Sequence, residues 1–276
     1  MVEASSSTPE IRTSAIARLC AGHGPHGGPV AVRLVEEVLV RRTWAIHRHV
    51  HLVRAFEEAM VGGGIATALS IGCGAGLSEL FLASQHPEIQ FHLTDFDQSR
   101  LDIGRQRAAD LDIANVTFGS LDLLASVGPE RYDWVSSIEV LEHIEDDTRA
   151  AHNLVELTDR WFWILVPQCS TFDLTSPRRI ARAWEQCGHH RPGYTPVTLE
   201  DAIGGTADVQ WMRSCYLQPE AGALRERMQH LSNEEIIEQQ GDLIDEACVD
   251  LYGPDTARGD GIEVLGRVDR LAAPSA

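Results

Sequence analysis

The sequence predicts an α/β fold: a seven-stranded, mostly parallel sheet with helices on both faces, an N-terminal helical cap, and a long helix before the last strand. Three observations predict it. From Thr67 onward, short apolar runs alternate with amphipathic stretches, the pattern of strands buried between helices. The segment ALSIGCGAGLSE, residues 68–79, is an apolar run that breaks into Gly72, Gly74 and Gly76 and then resumes with helical spacing. No apolar run approaches the roughly 18 residues needed to span a membrane, so the hydrophobic content of 43% belongs to a core.

The elements follow in order. Residues 1–29 open polar, close on GHGPHGGP, and read as irregular or disordered. Segment 30–60 carries apolar residues at helical spacing until Gly62, Gly63 and Gly64 stop it, giving one or two helices of a cap over 30–64. His47 and His51 lie four apart on one face and read as its solvated or core-edge side. Candidate strands are TALSI (67–71), IQFHLTD (89–95), NVTFG (115–119), DWVSSI (133–138), WFWILVP (161–167), VQWMRSCYL (209–217) and IEVLGRV (262–268). A helical stretch from Ala221 to Leu251 precedes the last of these, and the whole α/β unit runs over 65–270.

Composition removes several kinds of chemistry. The formal net charge is −18, and all 23 basic residues are arginine, which excludes a Schiff-base lysine and a P-loop lysine. Such acidity disfavours a long nucleic-acid groove, since phosphate neutralisation supplies most of that affinity. The six cysteines are scattered without a CxxC pair, as expected of free thiols in a reducing compartment rather than of a zinc site. The polar opening MVEASSSTPE has no basic lead into an apolar stretch, so the expectation is a cytoplasmic protein with no membrane partner. Exclusive use of arginine points to a GC-rich bacterial genome.

The glycine loop and the acid after it define a candidate ligand site. Glycines let the chain turn sharply and let a ligand approach without a Cβ in the way. The spacing is GxGxG; a dinucleotide fingerprint would want a glycine where Leu77 stands. The next strand ends in LTDFDQS, which puts Asp95 at its carboxyl end, where a carboxylate can accept ribose hydroxyls, with Phe96 beside it. Asp97 reads as a helix N-cap.

Together these residues resemble the class I S-adenosylmethionine-dependent methyltransferases, over about residues 65–200. The resemblance implies a Rossmann-like fold, S-adenosyl-L-methionine as cofactor and S-adenosyl-L-homocysteine as product. It also implies cofactor contacts from Ser70, Gly72, Cys73, Gly74, Gly76, Asp95 and Phe96, from Asp122 and Leu123 at the adenine, and from Glu139 at the end of strand four. Ser70 departs from the family, most of whose members carry an aspartate or glutamate two residues before the first glycine.

SSIEVLEHIED, residues 136–146, holds Glu139, Glu142 and His143 at i, i+3 and i+4, which share one face if the stretch is helical. The plainer alternative is a strand end followed by a helix start whose dipole favours the acids. The later loop CGHHRPGYTPVTLED, 187–201, resembles the histidine loop of ubiquinone-pathway O-methyltransferases and small-RNA terminal 2′-O-methyltransferases. In both groups a Glu-x-x-Glu-His motif and a later histidine accompany a divalent metal at the acceptor hydroxyl. Anchored on Tyr194 and Thr195, the matching histidine here is His190. The resemblance therefore implies Glu139, Glu142, His143 and His190 as ligands of Mg²⁺ or a similar metal. Glu142, His143 and His190 also stand as the catalytic group, with either histidine able to act as general base. The expected acceptor is a small hydroxylated metabolite. The alternatives are an RNA 3′ end, which a basic patch of Arg178, Arg179, Arg182 and Arg191 would serve, and a non-catalytic domain that only binds.

Overall fold

The computed structural model describes residues 16–41, 44–125, 128–205, 207–217, 220–249, 251 and 259–268. The strands are β1 (Thr67–Ile71), β2 (Gln90–Thr94), β3 (Val116–Gly119), β4 (Tyr132–Ile138), β5 (Thr158–Pro167), β6 (Asp208–Leu217) and β7 (Gly259–Arg267). They form one seven-stranded sheet in the order β3-β2-β1-β4-β5-β7-β6. All pairings from β3 through β5 are parallel, and β7 runs antiparallel between β5 and β6. This is the predicted mostly parallel fold.

Alternation along the strands feeds two cores, one on each face of the sheet. Trp134, Trp163 and Leu165 belong to one apolar cluster, whereas Val135, Phe162, Ile164 and Val166 belong to the other. The first core is covered by α1 (Pro29–Val40), α2 (Ala45–Val61) and α3 (Leu77–Gln85). The second lies under α5 (Asp147–Glu156) and α8 (Pro196–Ile203). Between these come α4 (Gln98–Asp110), α6 (Thr171–Thr175) and α7 (Pro177–Cys187).

Local expectations are refined at three points. Residues 16–20 are helical and Cys20 is fully buried, so order begins before Val30; the expectation for residues 1–15 lies outside the described residues. Segment 30–60, expected as one or two helices, is two. The stretch from Ala221 is three helices, α9 (Glu220–His230), α10 (Asn233–Glu238) and α11 (Gln240–Val249). Ser232 makes the break: its side chain accepts from Glu235 N–H while the Glu235 carboxylate accepts from Ser232 N–H, a reciprocal cap that starts a new helix.

The sheet order reverses between β1 and β4. Chain leaving β1 turns toward β2, chain leaving β4 toward β5, and the crevice opens at their carboxyl ends. Gly72 and Glu139 stand on its two sides.

Candidate active site

The glycine loop is built as its residues require. Gly72, Gly74 and Gly76 have φ of +72°, +59° and +66°. A Cβ on Gly72 would lie 2.2 Å from Val140 Cγ2, and one on Gly76 2.7 Å from Leu93 Cδ1, so strand packing as well as conformation demands glycine. Asp95 braces the loop: Oδ2 accepts from Gly74 N–H at 2.7 Å and Oδ1 from Asp97 N–H at 2.8 Å. Asp97 caps α4 as expected.

Two adjoining clefts lie along this edge. One, of 290 Å³, is lined by Gly72, Asp95, Phe96, Leu121, Leu123 and Glu139 among others. The other, of 630 Å³, follows the loop from Gly72 to Glu79 and is faced by Arg48, Glu139 and His143. Cys73 lines the second with its thiol held well above the ordinary range by burial and by Glu79 and Asp95, so it is no nucleophile. Asp122 is exposed and its Oδ1 accepts from Leu124 N–H at 2.8 Å, closing the turn that presents Leu123.

Ser70 points inward and donates to Glu79 Oε1 at 2.8 Å. Glu79, on α3, is 6% exposed and puts a carboxylate beside the loop where Ser70 has none. Its sequence signal is the acid of the helix start LSE, nine residues after Ser70, a weak one because acids in a first helical turn are commonplace.

Glu139, Glu142 and His143 do not share a helical face. Glu139 has φ of +52°, and Leu141–His143 is a single 3-10 turn; α5 begins only after the Asp146 cap. Glu139 instead forms an ion pair with Arg48 and accepts from Tyr216 Oη at 3.4 Å. A non-glycine residue held at positive φ stores about 1–3 kcal/mol, and such positions gather at working sites.

The loop after β5 completes the cluster. Tyr194 N–H donates to Pro167 C=O at 2.8 Å and Cys169 N–H to Tyr194 C=O at 2.9 Å, which folds the loop back on the strand end. Tyr194 Oη donates to Asp147 at 2.7 Å, and Arg191 pairs with Asp147 while stacking on the Tyr194 ring. Gly188 ends α7 at φ of +69°, turning the chain so that His189 meets His143 with ring centroids 4.5 Å apart. One ligand atom each from Glu142, His143 and His189 lie within 4.8 Å of one another. His190 is not the third member. Its backbone N–H donates to Glu142 C=O at 2.8 Å while its ring packs on Trp184.

The electrostatics of this cluster are unusual. Glu142 is fully buried, and neither carboxylate oxygen has a hydrogen-bond partner among the described residues. Burial above all, with the Glu139 charge, pushes its pKa up to about 8. Burial and the adjacent His143 push His189 down to about 4, so its ring is neutral. His143 Nδ1 lies 3.3 Å from Gly188 C=O, which can only accept, so the proton sits on Nδ1 and a neutral ring has its lone pair at Nε2.

Residues 69–159 match the family model of the methyltransferase domain. The matched segment marks a methyltransferase domain here, and the sheet order above is the one typical of class I methyltransferases. Over 76 residues, 28% of this chain, it is 34% identical to the uncharacterized protein YbxB of Bacillus subtilis (strain 168), and the match spans 36% of that protein's length. The fold is similar to that of a candidate sarcosine dimethylglycine methyltransferase from Galdieria sulphuraria, at 11% identity and a TM-score of 0.57 over 81% of this chain and 86% of that one. It is similar also to the N-methyltransferase NodS from Bradyrhizobium japonicum WM9 with S-adenosyl-L-homocysteine, at 17% identity and 0.52 over 87% and 98%. The [4+2]-cyclase SpnF shares the fold at 15% identity and 0.52 over 78% and 80%. A cyclase on this fold means that the reaction must be argued from the site.

Proposed function

We propose that the protein transfers the methyl group of S-adenosylmethionine to a hydroxyl of a small acceptor positioned at the Glu142–His143–His189 cluster. The cofactor takes the clefts beside the glycine loop, its ribose on Asp95 and its adenine between Phe96 and Leu123. The observation that carries the acceptor reading is the Glu142 carboxyl group, buried without a partner beside two imidazoles, one of which, His143, lines both clefts. A sulfonium is already a good leaving group, so the enzyme's task is to align the acceptor and manage its proton.

A divalent cation fits this donor set, with Glu142, His143 and His189 as its holders, because it would supply the charge that the buried carboxylate lacks; two imidazoles and one carboxylate suit Mn²⁺, Co²⁺ or Zn²⁺ better than Mg²⁺. When bound, such an ion lowers the pKa of an acceptor hydroxyl. The chain's own residues prepare the site: Gly188 C=O fixes the His143 tautomer, and the Arg191–Asp147–Tyr194 contacts hold the loop that carries His189. Without an ion, the Nε2 lone pair of His143 receives the acceptor's proton, the second reading that the Gly188 contact favours.

The RNA alternative loses support. Of its four arginines, Arg191 is committed to Asp147 and Arg179 pairs with Asp173. The test is calorimetric titration with S-adenosylhomocysteine, then methyl release against hydroxylated acceptors with and without chelator. Turnover that chelator abolishes and Mn²⁺ or Co²⁺ restores supports the cation; turnover indifferent to chelator supports the base. His143→Ala and His189→Ala should each lower turnover about 10²–10⁴-fold, with cofactor affinity kept. Full activity in both variants would remove the cluster from the reaction.

A further inference from the structure

The loop cleft contains two polar groups for which the glycine motif gives no reason. Both stand at the start of α3: Ser78 and Glu79 line the cleft side by side with the loop. Of the two carboxylates lining that cleft, Glu139 is already ion-paired with Arg48, whereas Glu79 receives only the Ser70 hydroxyl from another described residue. Burial raises the Glu79 carboxyl above its ordinary range, the Ser70 hydrogen bond only partly offsetting it, and a cation in the cleft would hold it ionised.

Ser78 is prepared from behind. His49, on α2, is 1% exposed. Its Nε2 lies 2.9 Å from Cys20 C=O, a group that only accepts, so Nε2 carries the proton. Burial pushes His49 down to about 4, which leaves the ring neutral and Nδ1 bare. Ser78 Oγ lies 3.2 Å from Nδ1, so the hydroxyl proton is directed at His49 and the oxygen faces the cleft as an acceptor. The chain of contacts runs from residues 16–20 through His49 to the cleft wall.

We propose that Ser78 and Glu79 together receive the ammonium group at the methionine end of S-adenosylmethionine, and that His49 is a positioning residue that keeps Ser78 in its acceptor state. The inference rests on the S-adenosyl reading of the clefts. In this chain the acid absent at Ser70 is replaced by one from the following helix, and Ser70 orients it. The N-terminal segment takes part in cofactor recognition through Cys20 C=O without touching the ligand.

The experiment compares two ligands by calorimetry: S-adenosylhomocysteine, and 5′-methylthioadenosine, which keeps the nucleoside and the thioether but lacks the amino-acid end. Ser78→Ala, Glu79→Gln and His49→Gln should each weaken S-adenosylhomocysteine about tenfold, as for a lost hydrogen bond to a charged group, and leave methylthioadenosine unchanged. Because His49 acts through Ser78, the Ser78→Ala/His49→Gln pair should be no weaker than Ser78→Ala alone. Equal losses for both ligands, or additive losses in the pair, would overturn the proposal. If the unaltered protein binds neither ligand, the S-adenosyl reading itself fails and the receptor with it. Ser78 is half-buried, so its variant keeps the test valid should a His49 change impair folding.

Discussion

At the scale of single residues, adjacent histidines have different fates. Counting back from Tyr194 selects His190, but the left-handed turn at Gly188 brings His189 to Glu142 and His143 and sends the His190 ring to Trp184. A count of residues cannot register one backbone reversal. The account therefore expects His190→Ala to keep methyl transfer within a few-fold of the unaltered protein while His189→Ala loses it, read in the same assay. Gly72 offers a second test. Alanine there meets both a positive φ and Val140 Cγ2 at 2.2 Å, so Gly72→Ala should abolish S-adenosylhomocysteine binding measured by calorimetry. Wild-type affinity in that variant would mean that the loop does not form the cofactor wall. Ser70 shows the limit of motif reading in another way: its acid partner, Glu79, lies one loop away, in a helix start whose acid looks commonplace until the fold brings the two together.

At the scale of elements, strands and the glycine loop were legible, the central strands because burial on both faces leaves an unmistakable apolar run, and each predicted strand lies within three residues of its observed bounds. Turns were not legible. Helical periodicity after β4 would put Glu139, Glu142 and His143 on one face, yet Glu139 at positive φ and the 3-10 turn at Leu141–His143 break that period, so Glu139 leaves the cluster for Arg48. Helix α2 is anchored by a group whose role no local pattern announces. Glu263 on β7, fully buried, accepts from His51 at 2.9 Å, Arg54 at 2.6 Å and Trp163 Nε1 at 3.0 Å. Burial alone would raise its pKa, but Arg54 and His51 overcome this and hold it below the usual carboxylate range. A carboxylate with a lowered folded pKa contributes stability that is present above its unfolded pKa and lost as pH falls through the folded one. Glu263→Gln should cost about 3–5 kcal/mol near neutral pH, and the gap to the unaltered protein in denaturant unfolding should shrink below about pH 4. An unchanged unfolding midpoint at neutral pH would contradict that anchoring.

At the scale of the whole molecule, a charge of −18 sits on a fold that opens a crevice at one sheet edge, and among the described residues no helix is long and apolar enough to cross a membrane. The charge sets an expectation for partners: an RNA 3′-end oligonucleotide should bind weakly, without the steep loss of affinity on adding salt that counterion release produces. A steep salt slope in a filter or anisotropy assay would return the RNA reading. What the fold does at that edge is to bring α2, the turn after β4 and the loop after β5 together around Glu139 and Glu142, with only Glu142 left without a partner. The most direct measurement is Mn²⁺ binding, followed by electron paramagnetic resonance with S-adenosylhomocysteine present, in the unaltered protein and in His189→Ala and His190→Ala. The account predicts one tightly held ion per chain, retained in His190→Ala and lost in His189→Ala; retention in His189→Ala, or no bound ion in the unaltered protein, would contradict it.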